Sequence, residues 1–181
     1  MRYLKATAQD RSGNGRADTV LLHFYERPTY GADELIHEAV ALDMNADGVV
    51  DFQFPGAIRP SGCAHAIDTL QLKTFANAFL KLNWFNRGES LQRVLVVLVA
   101  HYNKKGPPNA VELGFFDRCS PTRTSTATYL AAGYDGDGDG VLESFTNSDV
   151  DKNGVADKAD KELLRTLCNS FLAFEWYENK E

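Results

Sequence analysis

LDMNADGVVDF (42–52) is the stretch on which the fold turns, because the chain writes it a second time as YDGDGDGVLES (134–144). At an offset of 92 residues Asp43, Asn45, Asp47, Gly48 and Asp51 fall on Asp135, Asp137, Asp139, Gly140 and Glu143. The same offset carries Asp68 to Asp160, Asn77 to Asn169, Phe79 to Phe171, Leu80 to Leu172, Trp84 to Trp176 and Phe85 to Tyr177. Upstream it is 91, as a one-residue turn deletion produces, and Val20, Leu22, Phe24 and Glu26 fall on Val111, Leu113, Phe115 and Asp117. One offset running through both a loop and a helix marks an internal repeat, since shared composition has no reason to keep register. The expected organisation is a single domain, 1–181, made of two repeats at about 1–85 and 90–178, joined through NRGES (86–90).

Each half reads as four strands followed by a helix. β-rich runs at 2–9, 18–26, 34–42 and 48–54 are separated by Asn-Gly, Pro/Gly and Asp-Gly turns, which are hairpin signals. In the fourth run Val50, Phe52 and Phe54 share one face, with Val49, Asp51 and Gln53 on the other. A helix is expected at about 66–85, where Leu72, Phe75, Ala76, Phe79 and Leu82 make one apolar stripe. The second half repeats this at 92–102, 109–117, 125–134 and 140–146, with a helix at about 158–177 striped by Leu164, Leu167, Cys168, Phe171 and Phe174. The fold class is therefore α+β: an antiparallel sheet with two helices, duplicated from a ββββα unit about a pseudo-twofold. VLVVLVA (94–100) is apolar on both faces, so that strand is expected to be central or covered by a partner chain.

Composition sets the outer bounds. The chain has 181 residues, 44% of them hydrophobic, which suits an ordinary globular core. Its 25 acids outnumber its 19 lysines and arginines, for a formal charge of −6, and no basic face offers itself to nucleic acid. VLVVLVA is far too short to span a membrane, and MRYLKATAQD turns polar too early for a signal peptide. Cys63, Cys119 and Cys168 are odd in number and contain no CxxC, which argues against a disulfide framework.

Alternating aspartate and glycine is expensive in water, because the carboxylates repel one another unless a cation sits among them. A short loop can wrap a hard cation when alternate residues point inward, with oxygens at positions 1, 3, 5, 9 and 12, glycine at 6 and a backbone carbonyl at 7. DVDKNGVADKAD (149–160) supplies Asp149, Asp151, Asn153, the Val155 carbonyl, Asp157 and Asp160, with a helix directly after it. It resembles the calcium loop of dockerin repeats. The 135–143 loop supplies Asp135, Asp137, Asp139, the Val141 carbonyl and Glu143, and the 43–51 loop Asp43, Asn45, Asp47, the Val49 carbonyl and Asp51. Both are followed by strand-like residues, and they resemble the loops of thrombospondin type 3 repeats and integrin-type hairpins. These resemblances imply Ca²⁺ as the cofactor, and calcium loops of this kind lean towards an extracytoplasmic setting.

Asp-Gly and Asn-Gly also make hairpin turns without any metal. DRSGNGRAD (10–18) has only Asp10 and Asp18 as carboxylates, and the turn reading is the simpler one there; at 43–51 the two readings stand level. At 135–143 and 149–160 four carboxylates per loop have no turn-forming rationale. The offset sets 149–160 against AIRPSGCAHAID (57–68), which keeps Gly62 and Asp68 and little else, and sets 10–18 against YNKKGPPN (102–109), which has no carboxylate.

The remaining constellations are weaker. Cys63 and His65 lack a partner pair for zinc, and His23, His37 and His101 lie in expected strands, where structural roles are commoner. Trp84-Phe85 and Trp176-Tyr177 close the two helices and read as core. The leading expectation is a non-enzymatic, calcium-stabilised structural or binding module for an unidentified protein or small-molecule ligand. The alternative is a metal-dependent hydrolase or phosphotransferase using Asp137 and Asp139, since Asp-Gly-Asp-Gly after an apolar strand looks like the opening motif of haloacid dehalogenase-type phosphatases. A homodimer is the expected assembly, burying the second face of 93–100 or the tryptophan-bearing helix flanks.

Overall fold

The alternating runs become eight antiparallel strands in the computed structural model, which describes residues 1–56, 67–85, 93–100, 108–117 and 126–178. In chain order they are β1 (Arg2–Gln9), β2 (Thr19–Glu26), β3 (Glu34–Leu42), β4 (Phe52–Phe54), helix α1 (Thr69–Leu80), β5 (Val94–Ala100), β6 (Ala110–Phe116), β7 (Tyr129–Tyr134), β8 (Ser144–Phe145) and helix α2 (Lys158–Ala173). They form one sheet in the order β4-β3-β2-β1-β5-β6-β7-β8. NRGES, Cys63, His65, His101, Cys119 and most of 57–68 and 102–109 lie outside the described residues.

β5 is central, held between β1 and β6, as the doubly apolar VLVVLVA run led one to expect. Both helices lie on one side of the sheet and pack against each other. Their apolar stripes, Leu72, Phe75, Ala76 and Phe79 in α1 and Leu164, Leu167, Cys168 and Phe171 in α2, are fully buried. Sheet residues of one parity meet them: Leu4, Ala6, Leu22, Phe24, Leu95, Val97, Leu113 and Phe115 belong to the same core. Each fully buried leucine or phenylalanine contributes about 1.5–3 kcal/mol, so this layer supplies the main stabilisation. Small residues in β3 and β7 let the helices approach. A side chain at Gly133 would put its Cβ 2.8 Å from the Phe145 ring and 3.3 Å from Cys168 Sγ. Burial pushes the Cys168 thiol up to about 12, so it behaves as a small core hydrophobe.

The opposite face of the sheet is mixed. Val96 and Leu98 are half-buried there, Phe52, Phe54 and Leu130 are exposed, and His23 faces Glu38 with Nε2 2.8 Å from its carboxylate. His37 lies on the helix side instead, buried against Phe24, and desolvation holds its imidazole below the ordinary value.

The edge strands are shorter than the β-rich runs imply. β4 keeps only 52–54 of 48–54, and β8 only 144–145 of 140–146. The missing residues belong to the acidic loops, whose carboxylates take the backbone N–H groups that a sheet would otherwise use. Val50 consequently stands outside β4, fully buried, with its N–H donated to Asn77 Oδ1 of α1 at 2.7 Å. The helices are also trimmed, because the residues after Leu80 and Ala173 turn away to pack Trp84 and Trp176. Trp84 stacks on Phe85 and Phe115, and the Trp176 indole N–H donates to the Tyr25 carbonyl at 3.2 Å.

Candidate metal centres

Four loops, three following strands β1, β3 and β7 and one preceding α2, share a single backbone conformation. Their fourth positions, Gly13, Ala46, Gly138 and Lys152, all have positive φ, at 72°, 55°, 83° and 57°. Their sixth positions, Gly15, Gly48, Gly140 and Gly154, do too, at 84°, 89°, 90° and 98°. Glycine reaches that region freely; Ala46 and Lys152 do so only because the loop around them imposes it.

The imposed geometry comes from carboxylates. The first aspartate of each loop spreads both oxygens over the backbone N–H groups of positions 4 to 6. Asp10 accepts from Gly13, Asn14 and Gly15; Asp43 from Asp47 and Gly48; Asp135 from Gly138 and Gly140; Asp149 from Asn153 and Gly154. The side chain at position 5 takes the N–H of position 7: Asn14 from Arg16, Asp47 from Val49, Asp139 from Val141 and Asn153 from Val155. A last acid closes the loop on the N–H of position 2. Asp18 accepts from Arg11 at 3.0 Å, Asp51 from Met44 at 2.8 Å, Glu143 from Gly136 at 3.1 Å and Asp160 from Val150 at 2.8 Å.

What separates the loops is how many oxygens converge. Asp135, Asp137, Asp139 and Glu143 each place a carboxylate oxygen within 4.8 Å of the others, and so do Asp149, Asp151 and Asp160. These two acidic clusters could hold a metal ion. Among the described residues no further group of three or more such side chains converges in this way, so Asp43, Asp47 and Asp51 make no such group. Asn45 spends its amide N–H on Asp47 Oδ2 at 3.0 Å. Asp157 stands outside the second cluster as the N-cap of α2, accepting from Ala159 N–H at 2.6 Å, while Asp160 completes the capping box from the third helical position. Val49, Val141 and Val155 expose their side chains at the loop rims. A reading from sequence alone treats 10–18 as an ordinary turn. Its spacing of Asp10, Gly15 and Asp18, identical to Asp43, Gly48 and Asp51, is the signal that it shares the loop conformation.

Electrostatics within the clusters diverge. Burial works to raise the Asp135 carboxyl, but the backbone N–H groups of Gly140, Gly138, Asp139 and Asp137 outweigh it and leave it below the ordinary value. Asp160 is lowered in the same way by Asp157, Asp151 and Val150 against the pull of burial. Asp151 is raised, first by burial and then by the charges of Asp160 and Asp149, despite hydrogen bonds from Asn153. Burial and the like charges around it together raise this acid, and a cation among the three offsets both. No protein-family model, curated protein or solved structure matches the chain.

Proposed function

We propose that the chain is a non-enzymatic, calcium-stabilised structural or binding module. The observation that carries this reading is the convergence of Asp135, Asp137, Asp139 and Glu143 in a loop whose backbone repeats three more times in the molecule. Four carboxylates and the Val141 carbonyl suit a hard cation that accepts six to eight oxygens in flexible geometry. Magnesium demands tight octahedral geometry and keeps its waters, which favours calcium. Asp137 and Asp139 serve the loop here, each accepting a backbone N–H two residues on. That local role is what a binding loop needs, and it lends nothing to a hydrolase using the same pair. Calorimetric titration of the metal-free chain with calcium tests the reading: two equivalents are expected, with Asp137→Asn abolishing one and Asp149→Asn the other. Absence of heat, or isotherms for both variants identical to that of the unsubstituted chain, refutes it.

The two-repeat organisation is part of the proposal, and strand register supports it. Ala6 pairs with Leu22 and Val97 with Leu113, each partner displaced by 91 residues. Leu22 pairs with Ala39 and Leu113 with Ala131, displaced by 91 and 92. Ala41 pairs with Gln53 and Gly133 with Phe145, both displaced by 92. At the centre Leu4 pairs with Val97 and Ala6 with Leu95, as a twofold axis between Lys5 and Val96 requires. Superposition of β1–β4 and α1 on β5–β8 and α2 checks this, and helices crossing their strands at different angles would break it.

A second copy of the chain is the proposed occupant of the open sheet face, where Phe52, Phe54 and Leu130 are more than half exposed. Light scattering at micromolar concentration reads it. Twice the chain mass is expected, and a single chain mass removes the dimer.

A further inference from the structure

Beside the 149–160 loop, residues from four separate segments line an open cleft of about 490 Å³: Asn83, Trp84, Arg93, Thr128, Tyr129 and, from the loop itself, Lys152. That volume is in the range of small-molecule sites. Its chemistry runs against that of the rest of the surface. In a chain of net charge −6, the two ionic groups among the described residues that line it are both cations. Each is held in place by an aromatic wall: the Arg93 guanidinium lies 4.1 Å from the centre of the Trp84 ring, and the Lys152 ammonium 3.7 Å from that of Tyr129.

The aromatic faces are thus already occupied, and the cationic heads are what a ligand meets. Arg93 donates Nε–H to Asp117 Oδ1 at 2.7 Å and Nη1–H to the Trp84 carbonyl at 3.0 Å, which uses two of its five N–H groups among the described residues. Asp117 thereby orients the guanidinium as well as neutralising part of its charge. Lys152 makes no ion pair among the described residues, and its backbone is pinned in the left-handed region by the 149–160 loop. Asn83 secures that loop to the cleft by donating Nδ2–H to the Asp151 carbonyl at 2.8 Å. The Trp84 indole N–H is buried and has no acceptor among the described residues.

We infer that this cleft binds a small organic oxyanion, a carboxylate or phosphate ester, with its charged group received between Arg93 and Lys152 and its body in the aromatic-walled cleft. The second Asn83 amide N–H offers a polar contact at its rim, whereas the Thr128 hydroxyl already donates to Asp117 Oδ2 at 3.1 Å. The inference does not depend on calcium in the neighbouring loop, although the loop sets where Lys152 stands.

The test is a titration followed by the indole N–H resonances, of which there are two, from Trp84 and Trp176. Benzoate, phenyl phosphate and inorganic phosphate serve as probes, with the chain metal-free and then calcium-saturated. A saturable shift of the Trp84 resonance with the two organic probes is expected, weaker for inorganic phosphate, with Trp176 unmoved. Arg93→Gln and Lys152→Asn should each weaken binding about tenfold, as loss of a charge-assisted contact does, and Lys152→Arg should retain it. Asparagine tolerates positive φ, so the loop survives the substitution. No saturable shift in either form of the chain overturns the inference. So does a shift that persists at full strength in both charge-removing variants, which would put the anion elsewhere, on the loop-bound metal or the surface.

Discussion

Chelation should lower the melting temperature of the calcium-saturated chain by roughly 5–10 °C for each occupied loop. A ligand that binds only the folded state at a hundredfold excess over its dissociation constant adds about 2.7 kcal/mol. For a domain of this size each kcal/mol moves the midpoint by about 2–4 °C. The loops can deliver this because their cost is already present without the ion: Asp151 sits between Asp149 and Asp160 with its carboxyl raised, and Asp135, Asp137, Asp139 and Glu143 crowd within 4.8 Å. A cation converts that repulsion into attraction. Asp149→Ala should therefore lose most of its stability difference in calcium and little in chelator, since the Asn153 and Gly154 N–H groups it releases lie in an exposed loop and can turn to water. Magnesium should shift the midpoint less. If chelator leaves the melting temperature of the wild-type chain where it was, the loops are turns and the proposed function goes with them.

Asp160→Ala should be far more damaging, and damaging with or without metal. Asp160 is 1% exposed and accepts three backbone N–H groups: Val150 at 2.8 Å and Asp151 at 3.1 Å on one oxygen, Asp157 at 2.9 Å on the other. Removing it strands those donors and the α2 capping box together, at about 1–3 kcal/mol for each buried group left unpaired. The expected loss is roughly 3–5 kcal/mol in chelator, measured by denaturant unfolding. Asp68, 92 residues earlier, is exposed and among the described residues accepts the Leu70 N–H alone, at 2.8 Å, so Asp68→Ala should cost about 1 kcal/mol, as an ordinary N-cap does. Acid reads the same difference. Burial opposes the shift, but the three N–H donors win and hold the Asp160 carboxyl below its ordinary value. Its contribution is therefore intact above the unfolded-state value and is lost as pH falls through the folded one. Equal losses for Asp68→Ala and Asp160→Ala would show that Asp160 is only a cap.

Much of this was written locally. The spacing of Leu72, Phe75, Ala76 and Phe79, and of Leu164, Leu167, Cys168 and Phe171, specified two helices and the face each buries, because a helix repeats every 3.6 residues whatever surrounds it. The double-sided apolar run Val94–Ala100 announced a central strand, and the aspartate–glycine alternation announced where carboxylates would converge. The clusters at 135–143 and 149–160 were legible because their ligands are near neighbours in the chain.

Tertiary structure decided the rest, wherever one group had several possible partners. β4 and β8 shrank because Gly48, Val49, Gly140 and Val141 gave their N–H groups to carboxylates rather than to a neighbouring strand. Asp157 and Asp160 both fit loop positions on spacing, and only the starting point of α2 made one a helix cap and the other the buried acid that closes the loop. The cleft was invisible for a stronger reason. Trp84, Arg93, Tyr129 and Lys152 are ordinary residues where they stand in the chain, and the order β5-β6-β7 beneath the helix ends is what brings them together. Periodicity governs which face a residue shows, so a sequence states it directly; which distant side chains meet depends on how whole elements stack, and no short stretch records that.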